Sequence, residues 1–545
     1  MVLVYGPRGL GIHGESSGVM EVLRSNWNFY LWRLNSKMMF KFIQLFTIGF
    51  LVHVASGEAQ NLQLDQTFGT GGKVIAALGV KDDWIWASAL QPDGKLIGAG
   101  YSTVDFTPRQ AVARFMPDGT LDNSFGVNGS YVSATERTAF AMALHTDGTF
   151  VTAGSKPDNN FYIGFAVTRF LANGTPDPAF GTNGSVRTSF GTIKDEAYAV
   201  AVQADGKVIA GGSTETGNNN NDFALLRYTT AGILDASFGN AGKVVTAIGS
   251  QSDEIYSIAI QPDGKILVAG NTKDNGDYFV MARYLTNGTL DPSFGTGGIV
   301  KGEAGVGVKA MLMPNGQIIF VGRKAGFTVP DIFVFKYHAN GTLDQSYGVN
   351  GKAVALGIRA NGATIQPDGK VVVVGLKSGL FAVTRFNANG TLDESFGTGG
   401  ILSTDVSGTQ SLSQAHDTHV QPDGKVIVTG EAYKNNKHNM AITRYLPELN
   451  VNVKPANLEQ SSVSVYPNPA TSSVTLRYSL LSGSRVSAFL TDIQGRILSQ
   501  LISEGVQSAG VHTHQFFLQD ELPVGTYMVV LSVDGVMVPM QVSRI

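Results

Sequence analysis

The sequence predicts an all-β protein: a seven-bladed β-propeller with four strands per blade, its ring closed by the N-terminal strand, followed by a small Ig-like antiparallel β-sandwich. Three observations carry this reading. A phrase of the form LDxSFGxxG begins at Leu64, Leu121, Pro176, Leu234, Leu290, Leu343 and Leu392, and a period of roughly 50 to 60 residues is the mark of a repeat architecture. Each interval holds four short apolar runs separated by turn residues. After Leu446 the phrase stops, and residues 463–545 break into seven short alternating segments, the pattern of a small sandwich.

Composition narrows the function classes. At 545 residues, 43% hydrophobic and 15% charged, the chain has the apolar material for globular cores. A formal charge of −3 without a Lys/Arg-dense stretch argues against nucleic acid as a partner. The absence of cysteine rules out disulfides and thiolate zinc sites.

At the N-terminus an apolar run, Phe42 to Val54, follows Lys41 and precedes the small residues Ala55, Gly57 and Ala59. It is too short to span a membrane and has the layout of a secretory signal. Residues 38–59 are therefore read as a signal peptide, with Met38 or Met39 as the true start and residues 1–37 as a mis-assigned extension. The mature chain is expected to have no transmembrane span. Gly14-Glu15-Ser16-Ser17-Gly18 fits G-x-S-x-G formally, but a nucleophile elbow needs a strand pattern before it and a helix pattern after it, and the context GIHGESSGVM is not read as one.

Residues 60–446 are the predicted propeller. The fourth copy shows the unit: DEIYSIAIQ, PDG, KILVAG, a polar loop, DYFVMARYL, the turn TNGTLDPSFG, and TGGIVKG. Pro262-Asp263-Gly264 suits a tight hairpin, because proline fixes φ, aspartate bonds its own backbone and glycine accepts a positive φ. Continuously apolar second strands, such as Val371 to Val374, imply sheets covered on both faces. The Asn-Gly-Thr triplets at Asn173, Asn287, Asn340 and Asn389 read as turns.

A basic residue stands eight positions before the repeat aspartate at six junctions: Arg114 and Asp122, Arg169 and Asp177, Arg227 and Asp235, Arg283 and Asp291, Lys336 and Asp344, Arg385 and Asp393. Asp65 and Arg444 each lack such a partner. Pairing them would make residues 64–77 the outer strand of the last blade and leave no free edge. These fourteen residues are expected to be scaffold.

The unit "LDxSFGxxG … QPDGKxxVAG … RYxxNGTLD" resembles the delta-60 repeat, the DUF5122 β-propeller of secreted bacterial proteins, which has no assigned chemistry. The third copy departs most, with Pro176 for leucine and Ala179 for serine. Residues 447–462 are a polar linker. In the final module, Tyr466-Pro467-Asn468-Pro469, the segment Leu490 to Arg496 and the segment Leu522 to Tyr527 resemble the type A C-terminal sorting domain of the type IX secretion system of Bacteroidetes. The resemblance implies that Pro467, Asn468, Pro469, Asp492, Gly495, Gly525 and Tyr527 mark the turns of a signal. It also implies the secretion machinery as partner and a secreted or outer-surface location.

Function in the propeller would reside in blade-specific loops. Residues 155–161, 213–222, 271–277 and 431–439 are polar and rich in Asn and Asp. They offer oxygen ligands to Ca²⁺, but none has EF-hand spacing, so solvated loops and no cofactor are expected. His416 and His419, at i and i+3 on a strand, point to opposite faces and are read as structural. No catalytic set is assignable. The expectation is a monomeric, non-enzymatic module that binds polysaccharide or protein, with a glycan-active or other hydrolytic enzyme, or a purely structural surface protein, as the alternatives.

Overall fold

The computed structural model describes residues 64–545 except 218–219, 325–330, 448–457, 460–462, 493–496, 519–521, 523 and 534–535. The expected signal peptide, its upstream extension, most of the linker and Gly495 lie outside the described residues. Within them, the regular structure is all strand, and no helix is long and apolar enough to cross a membrane.

The repeats build seven four-stranded antiparallel sheets. In six of them the strands follow in chain order, as in Asp253–Ile260, Ile266–Lys273, Asp277–Tyr284 and Ile299–Ala304. The Pro-Asp-Gly turn joins the first two of these. Gln261 N–H donates to Lys265 O at 2.8 Å, the Asp263 carboxylate accepts from Lys265 N–H at 3.1 Å, and Gly264 takes φ +81°. The remaining sheet combines Ser413–Val420, Val426–Lys434 and Lys437–Tyr445 with Lys73–Ala76, whose register runs from Lys73 opposite Thr443 to Ala76 opposite Met440.

Second strands are buried on both faces, as Ile266 to Gly270 illustrate. Their side chains meet those of neighbouring sheets. One core joins Ile209, Phe223 and Leu225 of the third sheet to Ile255, Ile266 and Val268 of the fourth, and equivalent cores lie between the other successive sheets. Another joins Ile85, Leu96 and Ala111 of the first sheet to Ile427, Met440 and Ile442 of the last. Each fully buried aliphatic side chain contributes about 1.5–3 kcal/mol, so the sheets hold one another.

The repeat aspartates and their basic partners sit in these junctions. Arg283 Nε donates to Asp291 Oδ2 at 2.9 Å, its Nη1 to the Ala339 carbonyl of the next sheet at 2.5 Å, and its guanidinium lies 4.6 Å from the Phe294 ring centroid. The arginines at 114, 169, 227 and 385 bond their aspartates at 2.7–2.9 Å. Arg444 Nε reaches Asp65 Oδ2 at 2.9 Å, and its Nη1 reaches the Pro117 carbonyl of the first sheet at 2.5 Å. Lys336 approaches Asp344 only to 3.7 Å. The lysine of the Pro-Asp-Gly-Lys turn, whose role is not readable from its spacing, supports the same carboxylates: Lys265 lies 3.3 Å from Asp291, and Lys370 3.0 Å from Asp393.

The C-terminal module has two antiparallel sheets. One contains Ser464–Tyr466, Ser473–Leu480 and Gly510–Phe517; the other orders Ile497–Gln507, Ser484–Asp492, Gly525–Val533 and Val536–Arg544. Val474, Leu476 and Tyr478 from the first pack with Val486, Ala488, Val529 and Leu531 from the second in one core.

Candidate functional site

The first strands of the seven sheets surround a channel of about 220 Å³, to which every sheet contributes. Each of these inner strands carries a β-bulge at the same height. The register shifts flank Trp86, Phe140, Tyr198, Tyr256, Val308, Asn361 and His416. A bulge re-aims a side chain that strict alternation would send into a sheet junction.

The cause lies in the second strand. Where the inner strand bulges, most second strands place the glycine that ends the "VAG" run. A Cβ at Gly270 would stand 1.8 Å from the Glu254 carbonyl oxygen, and one at Gly100 2.0 Å from that of Trp84. Only a residue without a side chain lets the two backbones come so close. The inner strand of the sixth sheet is also tightly packed, since a Cβ on Gly362 would meet the His416 carbonyl oxygen at 2.4 Å.

Five consecutive bulge positions form an aromatic arc. Ring centroids are 4.3 Å apart for His416 and Trp86, 6.1 Å for Trp86 and Phe140, 5.4 Å for Phe140 and Tyr198, and 5.5 Å for Tyr198 and Tyr256. Trp84 stacks behind Trp86 at 5.2 Å. Trp86, Phe140, Tyr198 and Tyr256 are half-buried, so their rings remain in reach of a ligand. Val308, Lys309 and Asn361 line the channel on its remaining side.

The carboxylates here are committed. Tyr198 Oη donates to Glu196 Oε2 at 2.7 Å, which also meets Lys194 Nζ at 2.9 Å, and Tyr256 Oη donates to Glu254. Burial first, then the adjacent glutamate charges, pushes both phenols well above the ordinary tyrosine value, so they remain donors. Asp417 accepts from Ser88 N–H at 3.0 Å and faces Lys309 Nζ at 3.3 Å. Burial raises its proton affinity, but Lys309 and His419 more than offset that, and Asp417 stays far below the usual carboxylate range.

Ser88, His419 and Asp417 meet across the junction of the first and last sheets, a trio that chain order hides. Ser88 Oγ is 2.8 Å from His419 Nε2, and the same Nε2 is 3.5 Å from Asp417 Oδ2. A nucleophile relay needs the carboxylate on the opposite ring nitrogen. One nitrogen faces both partners here, and Ser88 is buried, so the trio joins two sheets. His416 binds Glu431 at 2.5 Å instead. The bulge between Ala415 and Asp417 interrupts the alternation from which the two histidines were expected to diverge, and their rings nonetheless take different partners. Among the described residues no group of three or more His, Asp or Glu could hold a metal ion.

The hairpins between second and third strands expose apolar side chains, with Phe106 84% and Phe161 79% accessible. The Asn-Gly-Thr triplets form side-chain-capped turns: Asn287 Oδ1 accepts from Thr289 N–H at 3.1 Å and from its hydroxyl at 2.8 Å.

In the C-terminal module, Asn468 ties its turn to the last strand. Its side-chain amide donates to Gln541 O at 2.9 Å, and its oxygen accepts from Ser543 N–H at 2.9 Å. Pro467 and Pro469 flank it, each following a cis peptide bond. Gly525 opens a strand opposite Arg544, and the buried Tyr527 stands opposite Asp492.

Comparison with known proteins gives two family matches. The model described as a domain of unknown function (DUF5122) beta-propeller matches residues 91–125, 203–238, 261–294, 366–396 and 421–451. The model described as a secretion system C-terminal sorting domain matches residues 464–538. No curated protein matches. Similar solved structures include Drosophila semaphorin 2a, at 10% identity and TM-score 0.43 over 86% of this chain and 97% of that one. The polysaccharide lyase Uly1 is similar at 12% identity and TM-score 0.40 over 68% and 91%.

Proposed function

We propose, from the premise that this chain belongs to the DUF5122 β-propeller family and ends in a secretion-system C-terminal sorting domain, that it is an exported, non-enzymatic polysaccharide-binding propeller. The sorting domain implies export to the cell surface or exterior. In this reading residues 60–446 are a seven-bladed ring closed by Lys73–Ala76, and residues 463–545 are an Ig-like sandwich read by the type IX machinery. Pro467, Asn468, Pro469, Asp492, Gly495, Gly525 and Tyr527 are its recognition turns.

The aromatic arc is the observation that carries the reading. Sugar rings present apolar C–H faces that lie on aromatic rings, and binding sites combine such platforms with a few placed polar groups. Trp86, Phe140, Tyr198 and Tyr256 supply the platforms, while Lys309 and Asn361 supply the polar side. Engagement of Glu196 and Glu254 by tyrosine hydroxyls supports binding over hydrolysis. The exposed Phe106 and Phe161 favour a second reading, in which the rim holds a protein partner.

The test is to incubate the exported chain with a polysaccharide panel and follow retardation and released reducing ends together. Trp84 and Trp86, the tryptophans that remain beyond residue 59, report occupancy by fluorescence. Retardation without product is expected, and Trp86→Ala should weaken it by about 2 kcal/mol, roughly thirtyfold. Released product would establish an enzyme instead. If no polymer is retarded, the rim reading stands in place of the channel.

A further inference from the structure

The second sheet departs from the others at its Pro-Asp-Gly end. In five sheets the lysine after that turn sets its ammonium against the repeat aspartate: 3.3 Å for Lys95 and Asp122, 3.1 Å for Lys207 and Asp235, 3.3 Å for Lys265 and Asp291, 3.0 Å for Lys370 and Asp393, and 3.5 Å for Lys425 and Asp65. In four of them the same ammonium also meets Oδ2 of the turn aspartate, at 3.6 Å for Asp93, 3.4 Å for Asp205 and Asp263, and 2.9 Å for Asp423. Two carboxylates thus share one ammonium. In the fifth sheet an amide takes its place, Gln317 Nε2 donating to Asp344 Oδ2 at 3.3 Å.

The second sheet keeps both carboxylates and lacks the cation. Its turn reads His145-Thr146-Asp147-Gly148-Thr149, with threonine where the lysine is expected. The Thr149 hydroxyl donates to Asp147 Oδ1 at 2.6 Å, and His145 Nδ1 meets the same oxygen at 2.9 Å. Asp147 Oδ2, the oxygen that faces an ammonium in the sheets above, has no partner among the described residues. Asp177, 8% exposed, is also short of partners: its Oδ2 accepts from Arg169 Nε at 2.8 Å and its Oδ1 from Ala179 N–H at 2.9 Å. Ala179 replaces the serine or threonine whose hydroxyl reaches this oxygen in the other copies.

Where the ammonium is missing, a cavity of about 240 Å³ opens between the second and third sheets. Phe150 and Val151 of the second sheet and Val202 and Val208 of the third wall it, together with Asp147 and Asp177. Arg169 balances one of the two negative charges, and His145 adds a positive charge only when protonated. An ammonium on an alkyl stem suits both features, with three N–H donors for the carboxylate oxygens and methylenes for the apolar walls.

We infer that this cavity is a binding site for a primary alkylammonium group, the chemistry shared by a lysine side chain and a free alkyl amine. The bound group takes the place that the repeat's own lysine fills in five other sheets. The site shares no residue with the channel, so it stands or falls independently of polysaccharide binding.

The exported chain is titrated with n-butylammonium chloride and with Nα-acetyl-lysine methylamide, and its melting temperature is compared with that in sodium chloride and in tetramethylammonium chloride at equal ionic strength. A ligand that binds the folded state alone raises the melting temperature as its concentration rises. The primary amines should do so, and tetramethylammonium, which has no N–H, should not. Asp147→Asn should weaken amine binding at least about tenfold. Thr149→Lys should supply the missing ammonium from within the chain, raising the melting temperature in buffer alone and removing the response to added amine. A response to n-butylammonium alone assigns the site to free amines, and a stronger response to the lysine derivative assigns it to a partner's side chain.

The absence of a shift with either amine, or an equal shift with tetramethylammonium, overturns the site. So does an amine response that persists unchanged in Asp147→Asn, which judges the site even where Thr149→Lys does not fold.

Discussion

Arg283 shows what one repeat residue does: it binds its own aspartate, covers a phenylalanine and donates to the neighbouring sheet. Arg283→Ala would leave Asp291 buried with Lys265 as its remaining cation, and removal of one partner of a buried pair costs about 3–5 kcal/mol. Denaturant unfolding of the purified variant measures this. Lys336 is the natural counter-experiment, since its ammonium stops 3.7 Å from Asp344. Lys336→Arg should raise stability by about 1 kcal/mol by adding the planar fork. The same carboxylates set the acid limit. At Asp393 burial opposes ionisation, but the Ser395 hydroxyl, Lys370 and Arg385 bring its pKa down to about 2. A depressed folded pKa contributes stability above the unfolded value of about 3.9, and that contribution is lost as pH falls through the folded value. Stability should therefore hold above about pH 4 and decline toward pH 2, as urea midpoints across that range would report. The eight-residue spacing of these pairs is legible in the sequence because both members recur. Lys265 and Lys370 are legible as turn residues only, since nothing in their spacing reveals which carboxylate they approach.

At the level of the strand, the bulge decides what the channel displays. The turns, the four-strand units and the doubly buried second strands follow from local chemistry and are visible in one repeat. The aromatic arc is not. Its members differ from sheet to sheet, and the bulge breaks the two-residue period by which a strand's faces are read. The available signal was the invariant-looking glycine at the end of each "VAG" run, whose need appears only when the opposing carbonyl is seen. Gly100→Ala should push back the Trp84 carbonyl, at a cost of about 1–3 kcal/mol or more. Near-ultraviolet dichroism of Trp84 and Trp86 should change with it. If the signal and the melting temperature both stay the same, the bulge does not depend on that glycine.

For the molecule as a whole, Lys73–Ala76 is the element whose removal should have the widest effect. A chain beginning after Ala76 would leave Lys437–Tyr445 with an unpaired edge and Arg444 without Asp65. Open strand edges recruit other chains, so this truncation should elute as oligomers in size-exclusion chromatography where the intact chain elutes as one species. The complementary gaps at Asp65 and Arg444 are legible in the sequence. The pairing of Lys73–Ala76 with the last repeat strand also has a consequence in time. The first repeat strand to leave the ribosome cannot find its partner until about 370 more residues have been made, on the order of half a minute of synthesis at typical rates. The earlier sheets can form in sequence, but the closing contact comes last and joins residues at nearly the greatest separation the repeats allow, where the entropic cost of contact is highest. Export that acts before that moment handles an open chain, and after it a locked one.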